Sequence, residues 1–281
     1  MKVLSDINSL QQEIARQKKA GRTIGFVPTM GALHSGHLSL LMHARKNADY
    51  TVVSIFVNPK QFNDPEDLRR YPRTPEKDQA LLLNAGCDLL FMPSVKEVFP
   101  TEFNLDYKLG YLDQIMEGKH RRGHFRGVVT VVHRLFTIVE PDLAFFGEKD
   151  CQQLVIIRKM SKDLGLPVRI IPCPIVREPD GLAMSSRNQL LTPEQRAHAP
   201  LISKTLHEAL HLKDSMSVEE LRKWVISKIN NDPCLELEYF ELADANDLKP
   251  VTLWTHKSPI IGCIAVWAGK VRLIDNLKFS L

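Results

Sequence analysis

No apolar run in this 281-residue chain approaches the roughly 18 residues that a membrane-crossing helix needs, so no membrane partner is expected. Cysteine is scarce. The five residues, Cys87, Cys151, Cys173, Cys234 and Cys263, are odd in number and scattered, and no two form a CxxC pair. They read as reduced thiols of a cytoplasmic protein rather than as a disulfide framework. Charge of neither sign dominates. A formal net charge of +4 is too mild to indicate nucleic acid, although it suits anionic small substrates. Aromatic residues are few at 7%. The densest basic stretch, "KHRRGHFR" at 119–126, interleaves only Phe125 and so makes a poor nucleic-acid platform. It reads either as a solvated loop or as an anion-facing segment. The opening "MKVLSDINSLQQEIARQKK" turns polar at once, unlike a signal peptide. No internal repeat and no low-complexity tract occurs.

What is present is an ordinary globular composition, 44% apolar and 25% charged, in a chain long enough for one large domain or two modest ones. Short runs rich in β-branched and apolar residues read as strands at 23–27, 51–57, 88–92, 143–146 and 168–171. Helical patterns lie between several of them. "PEKDQALLLNAG" starts at Pro75 and stops at Gly86. Val128, Val131, Val132, Leu135, Phe136 and Val139 keep a helical period despite their branching. This alternation predicts an α/β fold: a Rossmann-like parallel sheet with helices on both faces. After about residue 176 the pattern changes. Two helical stretches, 193–211 and 217–230, precede "LELEYFELAD", "PIIGCIAVWAG" and "KVRLIDNL". The last two flank Gly269–Lys270 as an antiparallel pair would. Two domains are expected, 1–175 and a smaller α+β domain over 176–281, joined through the proline-rich "PCPIVREPDGLAMSSRN".

Four segments carry candidate chemistry. In "FVPTMGALHSGHLSLL", residues 26–41, a buried strand runs into a glycine-containing turn and then a helix starting near Ser35 to His37. Helix N-termini attract phosphate, Gly31 and Gly36 allow close backbone approach, and His34 and His37 could donate to phosphate oxygens. Two other readings of the histidines are a zinc site, which lacks a nearby third and fourth ligand, and a purely structural pair. No metal ligands are assigned. The segment is neither a Walker A loop nor GxGxxG; HxGH after a first strand marks nucleotidylyl-transferring α/β proteins. In "VNPKQFNDPEDLRRYPRT", 57–74, Asn58 and Gln61 suit a small hydroxylated carboxylate, or belong to a plain polar loop. In "AFFGEKDCQQL", 144–154, Lys149 suits phosphate, Asp150 ribose hydroxyls, and Gln153 lies one turn into a helix. Alternatively, Glu148 and Asp150 only serve a helix dipole. In "MSSRN", 184–188, two hydroxyls and a guanidinium can wrap phosphates.

In this order the four segments resemble the pantoate–β-alanine ligase family, from about residue 22 to 191 and more loosely beyond; the last third carries no matching motif. The resemblance implies a Rossmann-like domain binding ATP and pantoate, a C-terminal lid domain and a homodimer. It implies that ATP lies against Met30, Gly31, Ala32, Leu33, His34, Ser35, Gly36 and His37. Gly147, Glu148, Lys149, Asp150, Val176, Met184, Ser185, Ser186 and Arg187 would complete the nucleotide site. Gln61 and Gln153 would hold pantoate, with Asn58 in the same pocket and Gln61 also serving β-alanine. His37 would be the proton donor, and His34, Lys149 and Arg187 would stabilise charge. The implied reaction condenses pantoate with β-alanine through a pantoyl-adenylate, using ATP with Mg²⁺ on the triphosphate and releasing AMP and pyrophosphate.

Two other functions share features of this pattern: a simple adenylyl- or cytidylyltransferase, and a catalytically silent nucleotide-binding module. A further string, Lys159-Met160-Ser161-Lys162, resembles the KMSK loop of class I aminoacyl-tRNA synthetases. The segment 151–164 reads as one helix ending at Gly165, however, and a helix interior cannot close over a triphosphate. The phosphate-closing role is therefore expected of Ser185, Ser186 and Arg187.

Overall fold

The computed structural model describes residues 1–255 and 257–279. The chain divides into two compact units. The first comprises Met1–Glu148 and Ile156–Pro174, and the second comprises Lys149–Val155 and the chain from Ile175 onward.

The first unit contains β1 (Lys2–Leu4), α1 (Ile7–Lys19), β2 (Ile24–Thr29), α2 (Ser35–Asn47), β3 (Tyr50–Ile55), α3 (Pro65–Arg70), α4 (Pro75–Asn84), β4 (Leu89–Phe91), α5 (Val95–Val98), α6 (Met116–His120), α7 (His124–Val139), β5 (Leu143–Gly147), the later part of α8 (Cys151–Asp163) and β6 (Arg169–Cys173). The strands form one sheet in the order β1-β4-β3-β2-β5-β6, with each neighbouring pair parallel. Strands buried on both faces read as continuous apolar runs, and β3 (YTVVSI) and β5 (LAFFG) do so. Successive side chains on β2 show where the helices lie. Phe26 meets Phe136 of α7 edge to face at 6.4 Å, whereas Val27 joins Leu41 and Ala44 of α2 in one apolar cluster. Neighbouring residues on a strand point to opposite faces, so α7 and α2 cover opposite faces. At Gly25 a Cβ would lie 2.7 Å from the Ala48 Cβ; the glycine lets the end of α2 approach the sheet.

The chain runs from β2 to β3 on one side and later returns to β5 on the other. That reversal makes a topological switch point at the carboxyl ends of β2 and β5, where ligands bind in open α/β sheets. The strand β1 and helix α1 lie in a start that reads only as polar. Three residues are too few to show a period, and Lys2–Leu4 is a strand because it pairs with Leu89–Phe91. Burial pushes the thiols of Cys87 and Cys173 up to about 12, so they stay protonated in the core.

The second unit contains α9 (Pro193–His198), α10 (Leu201–Leu212), α11 (Val218–Asn230), β7 (Leu235–Asp244), β8 (Ile260–Ala268) and β9 (Val271–Lys278). The strands form an antiparallel sheet in the order β7-β8-β9, with Gly269 at φ +60° in the β8–β9 turn. Leu206, Leu221, Val225 and Ile229 from the helices pack with Phe240, Ile264 and Val266 from the sheet. The helix expected over 193–211 is two helices. Pro200 has no N–H to continue the ladder, and the chain restarts at Leu201. Among the described residues, no helix is long and apolar enough to cross a membrane.

Glu13 ties the N-terminal elements of the first unit together. Its carboxylate accepts from Arg16 Nη2 and Gln17 Nε2, both at 2.6 Å, from Lys2 Nζ at 3.0 Å and from Tyr50 Oη at 3.2 Å. Arg16 above all, with Gln17 and Lys2, holds the carboxyl well below the usual range. A depressed folded-state pKa gives stability that is present above the unfolded value, about 4.3 for Glu, and is lost as pH falls below it. Glu13→Gln should therefore cost about 1–2 kcal/mol at pH 7, because the exposed partners Lys2 and Arg16 are screened. The deficit in melting temperature should shrink towards pH 3. A deficit that grew on acidification would contradict this assignment.

Candidate functional site

The loop leaving β2 is built around an internal anion. Gly31 has φ +83° and Ala32 φ +49°, a left-handed conformation that costs a non-glycine residue and needs support. Asp78 on α4 supplies it. Its buried carboxylate accepts from Ala32 N at 2.9 Å, Leu33 N at 2.8 Å and Thr74 Oγ1 at 3.1 Å. Successive amides around an anion form a nest, and here the anion belongs to the protein. A Cβ on Gly31 would lie 3.1 Å from Asp78 Oδ2, so this glycine is also required for the close approach.

Beyond the nest, His34 is the N-cap of α2. Its Nδ1 accepts from Gly36 N at 3.1 Å, while His37 Nδ1 accepts from His34 N at 3.3 Å. The two histidines thus form a reciprocal capping box, with ring centroids 4.0 Å apart. A ring whose Nδ1 accepts carries its proton on Nε2 when neutral, so both imidazoles are set as Nε2–H donors. The main-chain donors at residues 32 and 33 therefore have Asp78 of α4 as acceptor, and those at 36 and 37 have His34. Unpaired amides are thus not found at these four positions, while the helix dipole and the two rings, the other parts of the same expectation, are present at the helix start.

The loop after β3 forms a second platform in the same unit. Asn58, 1% exposed, accepts from Lys60 N through Oδ1 and donates through Nδ2 to Gln61 Oε1 and Gly127 O. Its side-chain polar atoms thus bond within the protein, one of them to Gln61. Gln61 donates to Met30 Sδ at 3.1 Å, which links this platform to the loop after β2. Below it, His124 Nδ1 lies 2.8 Å from Gln61 O, and Arg121 Nη1 lies 3.1 Å from His124 Nε2. A guanidinium only donates, so His124 Nε2 accepts and Nδ1–H donates to Gln61. The basic cluster at 119–126 is thus partly structural: His124 and Phe125 are buried at the start of α7.

Gly147 and Glu148 close the first unit's run to residue 148, and the second unit holds the remaining candidates. Lys149 and Asp150 lie on a 3-10 turn between β5 and α8, and Gln153 is in the first turn of α8. Asn276 of β9 donates through Nδ2 to Lys149 O at 2.9 Å. Its neighbour Asp275, buried, makes a paired contact with Arg177 at 2.7 and 3.0 Å. Arg177 also donates to Gly181 O. A bridge between Arg177 and Ala183, with Met184 N donating to Val176 O at 3.0 Å, completes a small hairpin. Ser185 then caps the turn Ser186–Leu190 by accepting from Arg187 N. The segment 184–187 is therefore a capped turn with Ser186 buried, not an open loop. Asp275 and Asn276 are the residues that sequence reasoning missed here. Next to Asp150, Cys151 Sγ lies 2.9 Å from Cys263 Sγ, one thiol donating to the other.

Lys159, Met160, Ser161 and Lys162 lie inside α8. Met160 and Ser161 are buried, and Lys159 pairs with Asp163 and sits over the Tyr107 ring.

The first unit thus combines a parallel sheet with a histidine-capped HxGH helix at its switch point. Comparison with known proteins narrows this. The family model for pantoate–β-alanine ligase matches residues 2–278. The pantothenate synthetase of Porphyromonas gingivalis is 50% identical over 280 residues, covering all of both chains. That of Acetivibrio thermocellus is 48% identical, covering 99% of each. The crystal structure of pantothenate synthetase from Thermus thermophilus superposes with a TM-score of 0.93 at 41% identity, covering both chains fully. A Francisella tularensis pantoate–β-alanine ligase, complexed with β-γ ATP and β-alanine, gives a TM-score of 0.81 at 36% identity, covering 99% of this chain and 98% of that one. The chain belongs to the pantoate–β-alanine ligase family.

The platform under Gln61 permits a structural test. A Cβ at Gly127 would stand 2.2 Å from Lys60 O and 2.6 Å from Gln61 N, and backbone atoms cannot swing aside. Gly127→Ala should destabilise the protein by about 2–3 kcal/mol. At Gly147 nothing lies within 4 Å of the added atom, so Gly147→Ala should stay within about 0.5 kcal/mol. Thermal melting of both variants checks the contrast, and equal melting temperatures would refute it.

Proposed function

We propose that the protein catalyses the ATP-dependent condensation of pantoate with β-alanine through a pantoyl-adenylate, with ATP arriving as its Mg²⁺ complex. A carboxylate cannot acylate an amine directly, because its leaving group would be oxide. In the first half-reaction a pantoate carboxylate oxygen attacks the α-phosphorus and pyrophosphate departs. In the second, the β-alanine amine attacks the carbonyl carbon and AMP leaves with the bonding pair. The first step brings anions together, so catalysis is mainly positioning and charge stabilisation.

The observation that carries this reading is the histidine capping box. It holds two Nε2–H donors at the start of α2, beside the switch point. In this proposal His34 and His37 stabilise the α-phosphate, and His37 is the proton donor. Gln61 binds pantoate and β-alanine, held in place by Asn58, and Gln153 contributes to pantoate binding. Lys149, Ser185, Ser186 and Arg187 act on the phosphates and Asp150 on the ribose. Met30, Gly31, Ala32, Leu33, Ser35, Gly36, Gly147, Glu148, Val176 and Met184 line the nucleotide. The first unit serves mainly pantoate and the α-phosphate, and the second carries the outer-phosphate groups and a closing role. By family resemblance we also assign a cytoplasmic homodimer.

Isotope exchange tests the adenylate. With pantoate and Mg²⁺ but no β-alanine, labelled pyrophosphate should enter ATP. With β-alanine the products should be AMP and pyrophosphate. Release of ADP and phosphate would overturn the mechanism, and a stable nucleotide-linked product would indicate a simple nucleotidylyltransferase.

The capping geometry separates chemistry from stability at His34. His34→Ala should lose about 1 kcal/mol of stability with the cap and about a hundredfold or more in pyrophosphate exchange. His34→Asn can still cap a helix, so it should recover the stability without the exchange. Recovery of both would mean that His34 acts only as a cap.

A further inference from the structure

Away from the proposed active site, the second unit gathers four side chains of metal-ligand type. Glu194 and His198 stand four residues apart on α9, and that spacing puts both on one helix face. Asp232 and Cys234 flank Pro233 in the turn between α11 and β7. His198 Nδ1 lies 2.7 Å from Asp232 Oδ2. The ligand atoms of His198, Asp232 and Cys234 all lie within 4.8 Å of one another, and Glu194 stands one helical turn before His198 on the same face of α9.

We propose that Cys234, His198, Asp232 and Glu194 form a structural Zn²⁺ site that fastens α9 to the α11–β7 turn. An ion pair between His198 and Asp232 explains two of these side chains. It does not explain the thiol gathered with them; a bound dication would take that thiol as thiolate beside the carboxylate. The turn is already shaped for the task. Asp232 N donates to Ile229 O, Cys234 N donates to Asp232 Oδ1 at 2.9 Å, and Pro233 restricts the backbone between them. Tetrahedral Zn²⁺ with these ligand types needs donor atoms about 3.3–3.8 Å apart, so binding would part His198 Nδ1 and Asp232 Oδ2 slightly from 2.7 Å and draw the thiol in. A mixed sulfur, nitrogen and oxygen set suits Zn²⁺, whereas Mg²⁺ and Ca²⁺ take oxygen alone. Binding forms the Zn–S bond and releases the thiol proton to solvent.

Cobalt(II) serves as the probe on the full chain after chelator treatment. The wild type should develop a thiolate-to-cobalt charge-transfer band that Zn²⁺ abolishes, and Zn²⁺ should raise its melting temperature in a concentration-dependent way. Cys234→Ser should lose the band and the melting shift. His198→Ala and Asp232→Asn should weaken binding by at least about tenfold. Cys151→Ser should keep the band, and pyrophosphate exchange should be unchanged in Cys234→Ser. No band in the wild type, or a band that survives Cys234→Ser, would overturn the site.

Discussion

A carboxylate with almost no water around it must have its charge answered by the protein. At Asp78 it is answered by the two amides and one hydroxyl that shape the loop after β2. The dependence runs both ways. Without the anion, the left-handed turn at Gly31 and Ala32 would lose its main support. Without that turn, the carboxylate would be buried and unpaired, which costs more than the bonds themselves are worth. The histidine cap starts where this turn ends, so the position of both imidazoles follows from a residue on another helix. A glycine-rich loop of this kind is held by one charge, not by stiffness of its own.

The second unit repeats the device with a different donor. Asp275 is buried, and the Arg177 guanidinium meets it with two bonds. A fork-to-carboxylate contact fixes direction as well as distance, so Arg177 is also aimed at the Gly181 carbonyl across its hairpin. The adjacent Asn276 reaches the Lys149 carbonyl. One strand, β9, therefore references both the Lys149 turn and the segment leading to Arg187. Two stretches far apart in sequence are placed by neighbouring residues on a rigid element.

Much of this is legible in the sequence wherever the signal is local. Apolar runs locate the four central strands, because a strand buried on both faces has no polar alternation to obscure it, and the apolar Ile170–Ile171 marks the edge strand β6. The change of pattern near residue 176 separates the α/β part from the antiparallel part. The KMSK-like string reads as helix interior from its flanking Gly165, and α8 contains it. What is not legible depends on partners far along the chain. Asp78 looks like one more acid in a first helical turn, yet the amides it accepts from are 45 and 46 residues away. Asn276 meets Lys149 across 127 residues, and no motif marks it. His124 lies within a basic cluster whose charge suggests solvent; its role under Gln61 comes from the register of α7 against the 59–61 turn. Pro200 is visible in the sequence, but the apolar period on either side of it reads as continuous.

The histidine pair shows why local chemistry and local structure cannot be assigned separately. A serine or aspartate caps a helix at least as well as a histidine, so capping alone does not require imidazole at position 34. Phosphate binding alone would accept lysine or arginine, which donate without fixing their direction through the backbone. Imidazole has two nitrogens with different duties. Nδ1 accepts from the main chain, and that bond locks both the ring plane and the tautomer. Nε2–H is thereby oriented as a donor before any ligand arrives. The reorganisation cost is met during folding rather than during reaction, which is the condition under which a fixed dipole stabilises developing charge best. The second histidine cannot be replaced by a simple donor either, because its Nδ1 closes the reciprocal half of the box. The spacing of His34 and His37 thus meets the needs of a capping box, N-cap and N3, and under the proposed reaction the same spacing would set two imidazole donors side by side at a helix start.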